Sequence, residues 1–361
     1  IMKPHGWLWP LSIPYQAVVQ TRNRLFDIGV LTSHNVEASV ISVGNISVGG
    51  TGKTPFVIHI LDRLDQLSGS RKVKTAVISR GYKGTGTGTQ IVSEGKHVRG
   101  TPELMGDEPV LIAESSKRTV VITDKNRLRG ANVAISAYKT GIIVLDDAFQ
   151  HRKVSRDVDI VLLDGRNPLG NRRVLPAGFL REPVSSLARA DLIVLSKCTG
   201  SDEELKDKVD KLSDLMKKPV IATRVIPRFW HRVNQGEIQA ADQIAGKKVL
   251  AFAGIAKPDS FFNTVEELGG EITAEIPLPD HCKYEKKYLD HISRQFVKTR
   301  SEWLVTTAKD AVKLPYILKL LPAYYLDIGI EVAVGYEILD EKLKKVLKER
   351  QTIKTANSSA K

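Results

Sequence analysis

Cysteine is nearly missing from this chain. Cys198 and Cys282 are the only two, and they form no C-x-x-C pair. A zinc or redox site built on cysteines is thereby excluded, and a reducing compartment fits. Both thiols read as small, partly buried filler. No run reaches the roughly 18 apolar residues that a membrane-crossing helix needs. The N-terminal stretch is broken by Pro4, Pro10 and Pro14 and has no small-residue cleavage site, so it is not a secretory signal. Its first residue is Ile1, which leaves room for native residues upstream. No N-K-x-D run for a guanine base occurs. The nearest stretches, LSKCT (195–199) and TAKD (307–310), do not fit. No basic run interleaved with aromatics is present, and no nucleic-acid recognition module is readable. Internal repeats are also absent.

What is there describes a packed protein with a basic surface. The 361 residues are 42% hydrophobic and 26% charged, with a net charge of +13. That length suits one large domain or two ordinary ones. The charge favours an anionic partner: nucleic acid, acidic lipid headgroups or a phosphorylated substrate. Near the N-terminus Trp7, Leu8, Trp9, Leu11, Ile13 and Tyr15 cluster, and a helix with Arg22 and Arg24 is expected to follow. Aromatics beside basic residues suit a bilayer interface, where Lys3, Arg22 and Arg24 would meet anionic headgroups. An arm packed on the body would use the same tryptophans as core.

Short β-branched apolar runs recur at 37–46, 73–81, 118–124, 141–149, 158–165, 190–197 and 218–225. Runs apolar on both faces read as buried parallel strands. Helices are expected at 54–67, 107–116, 125–139 and 201–216, and the alternation implies an open α/β sheet. A second cycle starts at 247–272, and 302–314 supplies another strand–helix pair. Between the two cycles, 224–238 reads as an extended connection. A late strand (324–335), a Lys/Glu helix (336–350) and a frayed polar tail (351–361) complete the chain.

The stretch SVGGTGKT (47–54) nearly matches the phosphate-loop pattern G-x-x-x-x-G-K-[ST], with Ser47 where the first glycine belongs. It follows the first strong strand and precedes PFVIHILDRL, the context that makes such a loop credible. Backbone N–H groups of Gly49, Gly50, Thr51 and Gly52 would point at phosphate oxygens, helped by the helix N-terminus. Lys53 would reach the β- and γ-phosphates, and Thr54 would ligate Mg²⁺ through its hydroxyl. Pro55 costs nothing in the first turn. Asp146 and Asp147 end a buried apolar run, where paired acids are expensive without a cation. A hard cation takes oxygen ligands, so these two are assigned to the metal alongside Thr54. A single capping aspartate would explain only one of them. ATP is the expected nucleotide.

These pieces, with SRGYKG (79–84), GDEP (106–109), DDAFQHRKVSRDVDIVLLD (146–164), LPAGFLREP (175–183), GIAKPDSFF (254–262), PDH (279–281) and TAKDAVKL (307–314), occur in the order of the tetraacyldisaccharide 4′-kinase family. The chain resembles that family over residues 40–335, and a serine or threonine in place of the first loop glycine is usual there. The resemblance implies transfer of the γ-phosphate of ATP to the 4′-hydroxyl of a tetraacylated glucosamine disaccharide 1-phosphate. The site of action would be the cytoplasmic face of the bacterial inner membrane. The implied fold is a P-loop α/β domain, its mainly parallel sheet flanked by helices, with a smaller C-terminal α/β domain joined by a two-stranded linker. The expected boundaries are an N-terminal membrane-interface segment (1–35), a P-loop kinase domain (36–225), a linker (226–246), the smaller domain (247–322), and a return strand, helix and tail (323–361).

The resemblance also assigns roles. Asp107 would accept the hydroxyl proton, supported by His281, which can orient the carboxylate and tune its pKa. Read without it, Asp107 is a helix N-cap with Glu108 in the first turn, and His281 is a loop histidine. Arg80, Tyr82, His151, Arg181 and Glu182 match motifs that line the family's cleft. Guanidinium groups at Arg80 and Arg181 suit phosphate oxygens, although an Arg181–Glu182 surface pair would use the same residues. Cys282 stands where many relatives have a second histidine, and Ala148 replaces a glycine. The expected partners are the acylated disaccharide phosphate and an anionic lipid surface, without nucleic acid, and a monomer is favoured. Two other classes fit parts of the sequence: a P-loop ATPase switching a protein partner, and a nucleic-acid-binding ATPase, suggested by the charge.

Overall fold

The computed structural model describes residues 6–69, 73–233, 236–314, 318 and 321–359. Lys3 and Pro4, and the last two residues of the tail, lie outside them. Thirteen strands form a single sheet, in the order β11-β10-β12-β13-β8-β7-β6-β1-β5-β2-β4-β3, with β9 added beside β8. Around the sequence's first strong strand, β1 (Ser39–Asn45), lie β5 (Ile142–Asp146) and β6 (Val158–Asp164), both parallel to it. On the β5 side follow β2 (Thr75–Ser79), β4 (Val120–Thr123) and the antiparallel edge strand β3 (Gln90–Glu94). On the β6 side come β7 (Leu192–Ser196) and β8 (Val220–Arg232).

β1 is buried along its whole length because both faces are covered. Ile41 and Val43 meet Phe56, Val57, Ile60, Leu61 and Leu64 of α2 (Lys53–Ser68). Val40, one residue out of phase, packs with Ala131 and Ala134 of α5 (Arg127–Tyr138). Period-two alternation thus feeds two helical layers from one strand. Each fully buried side chain such as Phe56 contributes about 1.5–3 kcal/mol.

The second parallel block contains β10 (Lys248–Ala253), β11 (Glu271–Pro277) and β12 (Trp303–Thr307). It joins the first through a long antiparallel ribbon of β8 with β13 (Ala323–Val334). The stretch read as an extended connection is therefore ladder-paired. Pro227 has no N–H to give, and it sits opposite Ile328 where the ribbon bulges. The ribbon also carries β9 (Ile238–Ala240).

The helices flanking the sheet are α1 (Trp9–Asp27), the short α3 (Pro102–Met105), α4 (Asp107–Ser115), α6 (Asp202–Met216), α7 (Asp259–Glu267), α8 (Lys286–Thr299), the short α9 (Ala308–Ala311) and α10 (Tyr336–Ser359). α10 runs on to Ser359 rather than ending at 350. Its Leu339, Leu343 and Val346 pack into the α2 core, and Arg63 holds Asp340 by two bonds of 2.7 and 2.5 Å.

Candidate active site

β1 and β5 run parallel, so their C-terminal ends open on the same edge of the sheet. Val43 is in register with Asp146. The loop leaving β1 therefore passes beside the paired acids, at the edge where open α/β sheets bind ligands.

The loop itself explains the missing glycine. Its first half is extended and pairs with residues 179–181: the Val48 N–H donates to the Phe179 carbonyl at 2.7 Å, and the Arg181 N–H to the Ile46 carbonyl at 2.6 Å. Ser47 bridges Leu180 in this short ladder. Nothing there demands a left-handed backbone. The positive φ values fall at Gly49 (109°) and Gly52 (77°), and both are glycine. Gly52 then caps α2, which begins at Lys53. Thr51 is buried, and its hydroxyl accepts from Asn45 Nδ2 at 3.0 Å. Thr51 thus offers the loop its backbone, while its side chain braces the turn. Thr54 lies half-buried in the first turn of α2.

Lys53 reaches across to Asp147, Nζ to Oδ1 at 3.3 Å. Arg181 Nη1 donates to both carboxylate oxygens of Asp147 at 3.1 Å. Burial alone would raise the pKa of Asp147, but Lys53 and Arg181 reverse this and hold it below the usual range. Asp146 is treated differently. Burial, and then the charge of Asp147, push its pKa up to about 6. It accepts from Ser79 Oγ at 2.9 Å and forms no ion pair among the described residues. The two acids are thus electrically distinct, with Asp147 neutralised and Asp146 short of positive charge.

Mg²⁺ fits that deficit. Among the described residues no cluster of three or more His, Cys, Asp or Glu could hold a metal alone. Mg²⁺ needs no such cage, because it takes one or two protein oxygens and completes its shell with phosphates and water. Thr54 and Asp146 supply oxygens of the right chemistry. Asp147, bound by two cations, is the weaker candidate.

Ser79 leads into Arg80 and Tyr82, which connect this cluster to a second one. Arg80 is exposed and borders a recess of about 180 Å³ shared with Asp124, Lys125 and Arg129. The Tyr82 ring, 56% exposed, meets the His281 ring edge-on at 5.9 Å. His281 Nδ1 lies 2.9 Å from Asp107 Oδ2, and Lys309 Nζ lies 3.2 Å from Nε2. An ammonium can only donate, so Nε2 accepts and the ring proton sits on Nδ1, facing the carboxylate. Lys313 Nζ adds a contact of 3.5 Å to the same Asp107 oxygen. Burial would raise the Asp107 pKa, yet the His281 hydrogen bond and the charge of Lys313 win, and the net shift is downward. Asp107 is the first helical residue of α4 and makes no capping bond, because the cap position belongs to Gly106. His281 holds a left-handed backbone, φ 61°, a strained state for a non-glycine residue.

His151 is half-buried near Arg127 and Arg80. Burial and these cations push its pKa down to about 4, so it is neutral at pH 7. Glu182 departs from the cleft expectation. It is 0% exposed and is held by Arg22 at 3.3 Å, Asn23 at 2.8 Å and Arg189 at 2.9 Å. Its carboxylate anchors α1, and no Arg181–Glu182 surface pair forms. Arg22 is accordingly committed to protein rather than to headgroups. α1 is also tied to the site loop by Tyr15, whose hydroxyl donates to the Arg181 carbonyl at 2.9 Å. The helix also leaves Trp9, Leu11, Ile13 and Val18 exposed. No helix among the described residues is long and apolar enough to cross a membrane. Cys282 is buried beside Phe252 and Tyr284 and fills core.

Sequence reasoning missed Arg127, Lys309 and Lys313. Arg127 is buried and bonds the carbonyls of Asp124 and Asp146 at 2.8 and 3.0 Å, fixing the end of β5. Lys309 lies in the short α9 and Lys313 just past its end, and their four-residue spacing in TAKDAVKL is that of one helical turn.

Comparison with known proteins agrees with this geometry. The family model described as "Tetraacyldisaccharide-1-P 4'-kinase" matches residues 4–348. The tetraacyldisaccharide 4'-kinase of Syntrophotalea carbinolica is 36% identical over 343 residues, 95% of this chain and 92% of the relative. That of Syntrophus aciditrophicus is 39% identical over 333 residues, 89% of this chain and 87% of the relative. A crystal structure of LpxK from Aquifex aeolicus, described as an "apo" form in complex with ATP, superposes with a TM-score of 0.78 at 31% identity, covering 94% of this chain and 98% of that one. The chain belongs to the tetraacyldisaccharide 4′-kinase family.

Proposed function

We propose that the protein transfers the γ-phosphoryl group of ATP to the 4′-hydroxyl of a tetraacylated glucosamine disaccharide 1-phosphate. The observation that carries this reading is the convergence of a phosphate loop, the Asp146–Asp147 pair and the Asp107–His281 pair along Ser79–Tyr82. The family supplies the substrate class.

Phosphoryl transfer needs positioning and charge neutralisation. Amides of Gly49–Gly52 and the α2 N-terminus hold the triphosphate, and Lys53 exchanges its contact with Asp147 for phosphate oxygens. Thr54 and Asp146 would hold Mg²⁺ through their oxygens, and the ion would supply charge neutralisation to the phosphates. Asp107 is ionised at neutral pH and receives the hydroxyl proton, while His281, braced by Lys309, keeps its carboxylate aimed. Tyr82, Arg80 and Arg181 are placed to contact sugar or phosphate, and neutral His151 can donate a hydrogen bond without adding charge. Residues 226–246 and 323–335 form the connection between a P-loop unit and a smaller C-terminal α/β unit.

The exposed apolar residues at the start of α1 rest on an anionic membrane surface, which we place at the cytoplasmic face of the inner membrane. Trp9, Leu11 and Ile13 enter the interface while Arg24 and the overall positive charge meet headgroups. Flotation with anionic liposomes tests this. Replacing all three apolar residues by glutamate is expected to abolish co-flotation, and unchanged binding would refute the placement.

The activity itself is tested with γ-labelled ATP and tetraacyldisaccharide 1-phosphate. Label is expected in the lipid, dependent on Lys53 and Mg²⁺. ATP hydrolysis without label in the lipid would point to the ATPase-switch reading instead.

A further inference from the structure

The phosphate loop is gripped from outside by the end of β7. Ser196, the last residue of that strand, shares its single Oγ proton between the Thr51 carbonyl at 2.8 Å and the Leu163 carbonyl at 3.1 Å. Lys197 follows with φ 57°, another left-handed non-glycine residue. Its Nζ donates to the Gly50 carbonyl at 2.7 Å. The lysine stem lies along the loop, so that a Cβ on Gly52 would stand 3.6 Å from Lys197 Cε.

A trans peptide places its N–H opposite its C=O. Fixing the Gly50 carbonyl against Lys197 turns the Thr51 N–H the other way. Fixing the Thr51 carbonyl against Ser196 does the same for the Gly52 N–H. Two consecutive amides are thereby turned away from β7 to the loop's free side, which is the arrangement of an anion-binding nest. Burial does most to lower the Lys197 pKa; of the charges around it Asp164 acts most strongly and opposes that shift, while Arg166, Lys257 and Lys53 add to it. Asp164 is itself bound by Arg166 at 2.6 Å.

We propose that Ser196 and Lys197 form a clamp that sets the orientation of the Gly50–Thr51 and Thr51–Gly52 peptides for triphosphate binding. Lys197 is a positioning residue that acts through the backbone, and its charge adds to that of Lys53 at the loop. The inference rests on the nucleotide reading of the loop, and the test separates the two.

The test measures ATP affinity by equilibrium dialysis on the full chain, together with kcat, the KM for each substrate, and melting temperature. Lys197→Met is expected to weaken ATP binding and raise its KM about tenfold, the scale of one charged hydrogen bond. kcat, the KM for the lipid and the melting temperature should stay near wild type. Lys197→Arg, which can still donate to the Gly50 carbonyl, should recover part of the affinity. Ser196→Ala should move affinity the same way by less. If wild type binds ATP and Lys53→Ala does not, yet Lys197→Met binds normally, the clamp is wrong and the nucleotide reading survives. Wild type that fails to bind ATP overturns both. A loss that tracks melting temperature and is not rescued by arginine assigns Lys197 a structural role and ends the proposal.

Discussion

Asp107 and His281 stand 174 positions apart and share a hydrogen bond of 2.9 Å. The contact joins the start of α4, beside the β1 half of the sheet, to a strained turn beyond β11. The downward shift of the Asp107 pKa makes the carboxylate a weak proton acceptor that is ionised at neutral pH. Its value lies in placement rather than basicity, since a hydroxyl proton needs an acceptor within hydrogen-bond reach.

Replacing Asp107 by alanine should lower kcat by about 10²–10⁴, the usual contribution of general-base catalysis. His281→Ala should cost less in rate but move the acid limb of the kcat profile to higher pH. The sign follows from the bond: His281 favours the ionised carboxylate, so its loss raises the Asp107 pKa. Measuring kcat against pH for both variants checks this, and near-normal turnover by Asp107→Ala would remove the base assignment.

Lys53→Ala should reduce kcat/KM for ATP by about 10²–10³, the cost of losing one preorganised charge contact to the reacting group. Stability should hold, because Arg181 still neutralises Asp147 in the variant. Label transfer and thermal melting, measured on one preparation, separate the two effects.

Asp146 and His151 give opposing pH dependences in one window. Asp146 binds its proton more tightly in the folded state, with a pKa near 6, so its contribution to stability falls as pH rises from about 4 to 6. His151 has its pKa lowered to about 4, so the folded state resists its protonation and stability falls as pH drops from about 6.5 to 4. Together they flatten the profile. Asp146→Asn removes one side, and its stability should decline more steeply on acidification than wild type does. Urea titrations at pH 4.5, 5.5 and 6.5 read this directly, and parallel profiles would contradict it. Adding Mg²⁺ with an ATP analogue at pH 7 should stabilise wild type more than Asp146→Asn.

Glu182→Ala should destabilise the fold by about 3 kcal/mol, the scale of breaking a buried ion pair from one side. Arg189 and Arg22 would lose their carboxylate, and α1 its anchor beside Arg181. Chemical denaturation should show the loss, with nucleotide affinity changing less than melting temperature. An affinity collapse at wild-type stability would return Glu182 to the substrate site.

The Glu182 result illustrates what a sequence conceals. Arg181 and Glu182 are neighbours in the chain, yet one faces the acids of the site and the other is sealed under α1. Side-chain direction at a loop has no periodicity to read. Helix α8 was legible in principle, since Tyr288, Leu289, Ile292 and Phe296 recur at helical spacing within its charged run. The edge strand β3 carries a weaker signal, with one bulged antiparallel neighbour to define it.

The sequence alone determined the parallel strands, the helices behind them and the loop SVGGTGKT, because each is a local pattern: apolar alternation, helical spacing, and glycine where φ is positive. Order along the chain also identified the family. Only the tertiary structure decided that β8 and β13 fuse two blocks into one sheet, that Asp147 makes two ion pairs while Asp146 makes none among the described residues, and that Lys309, Lys313 and Lys197 reach the site from distant segments. Those are relations across the fold, set by strand order and by which side chains share a buried volume, and no local pattern encodes them.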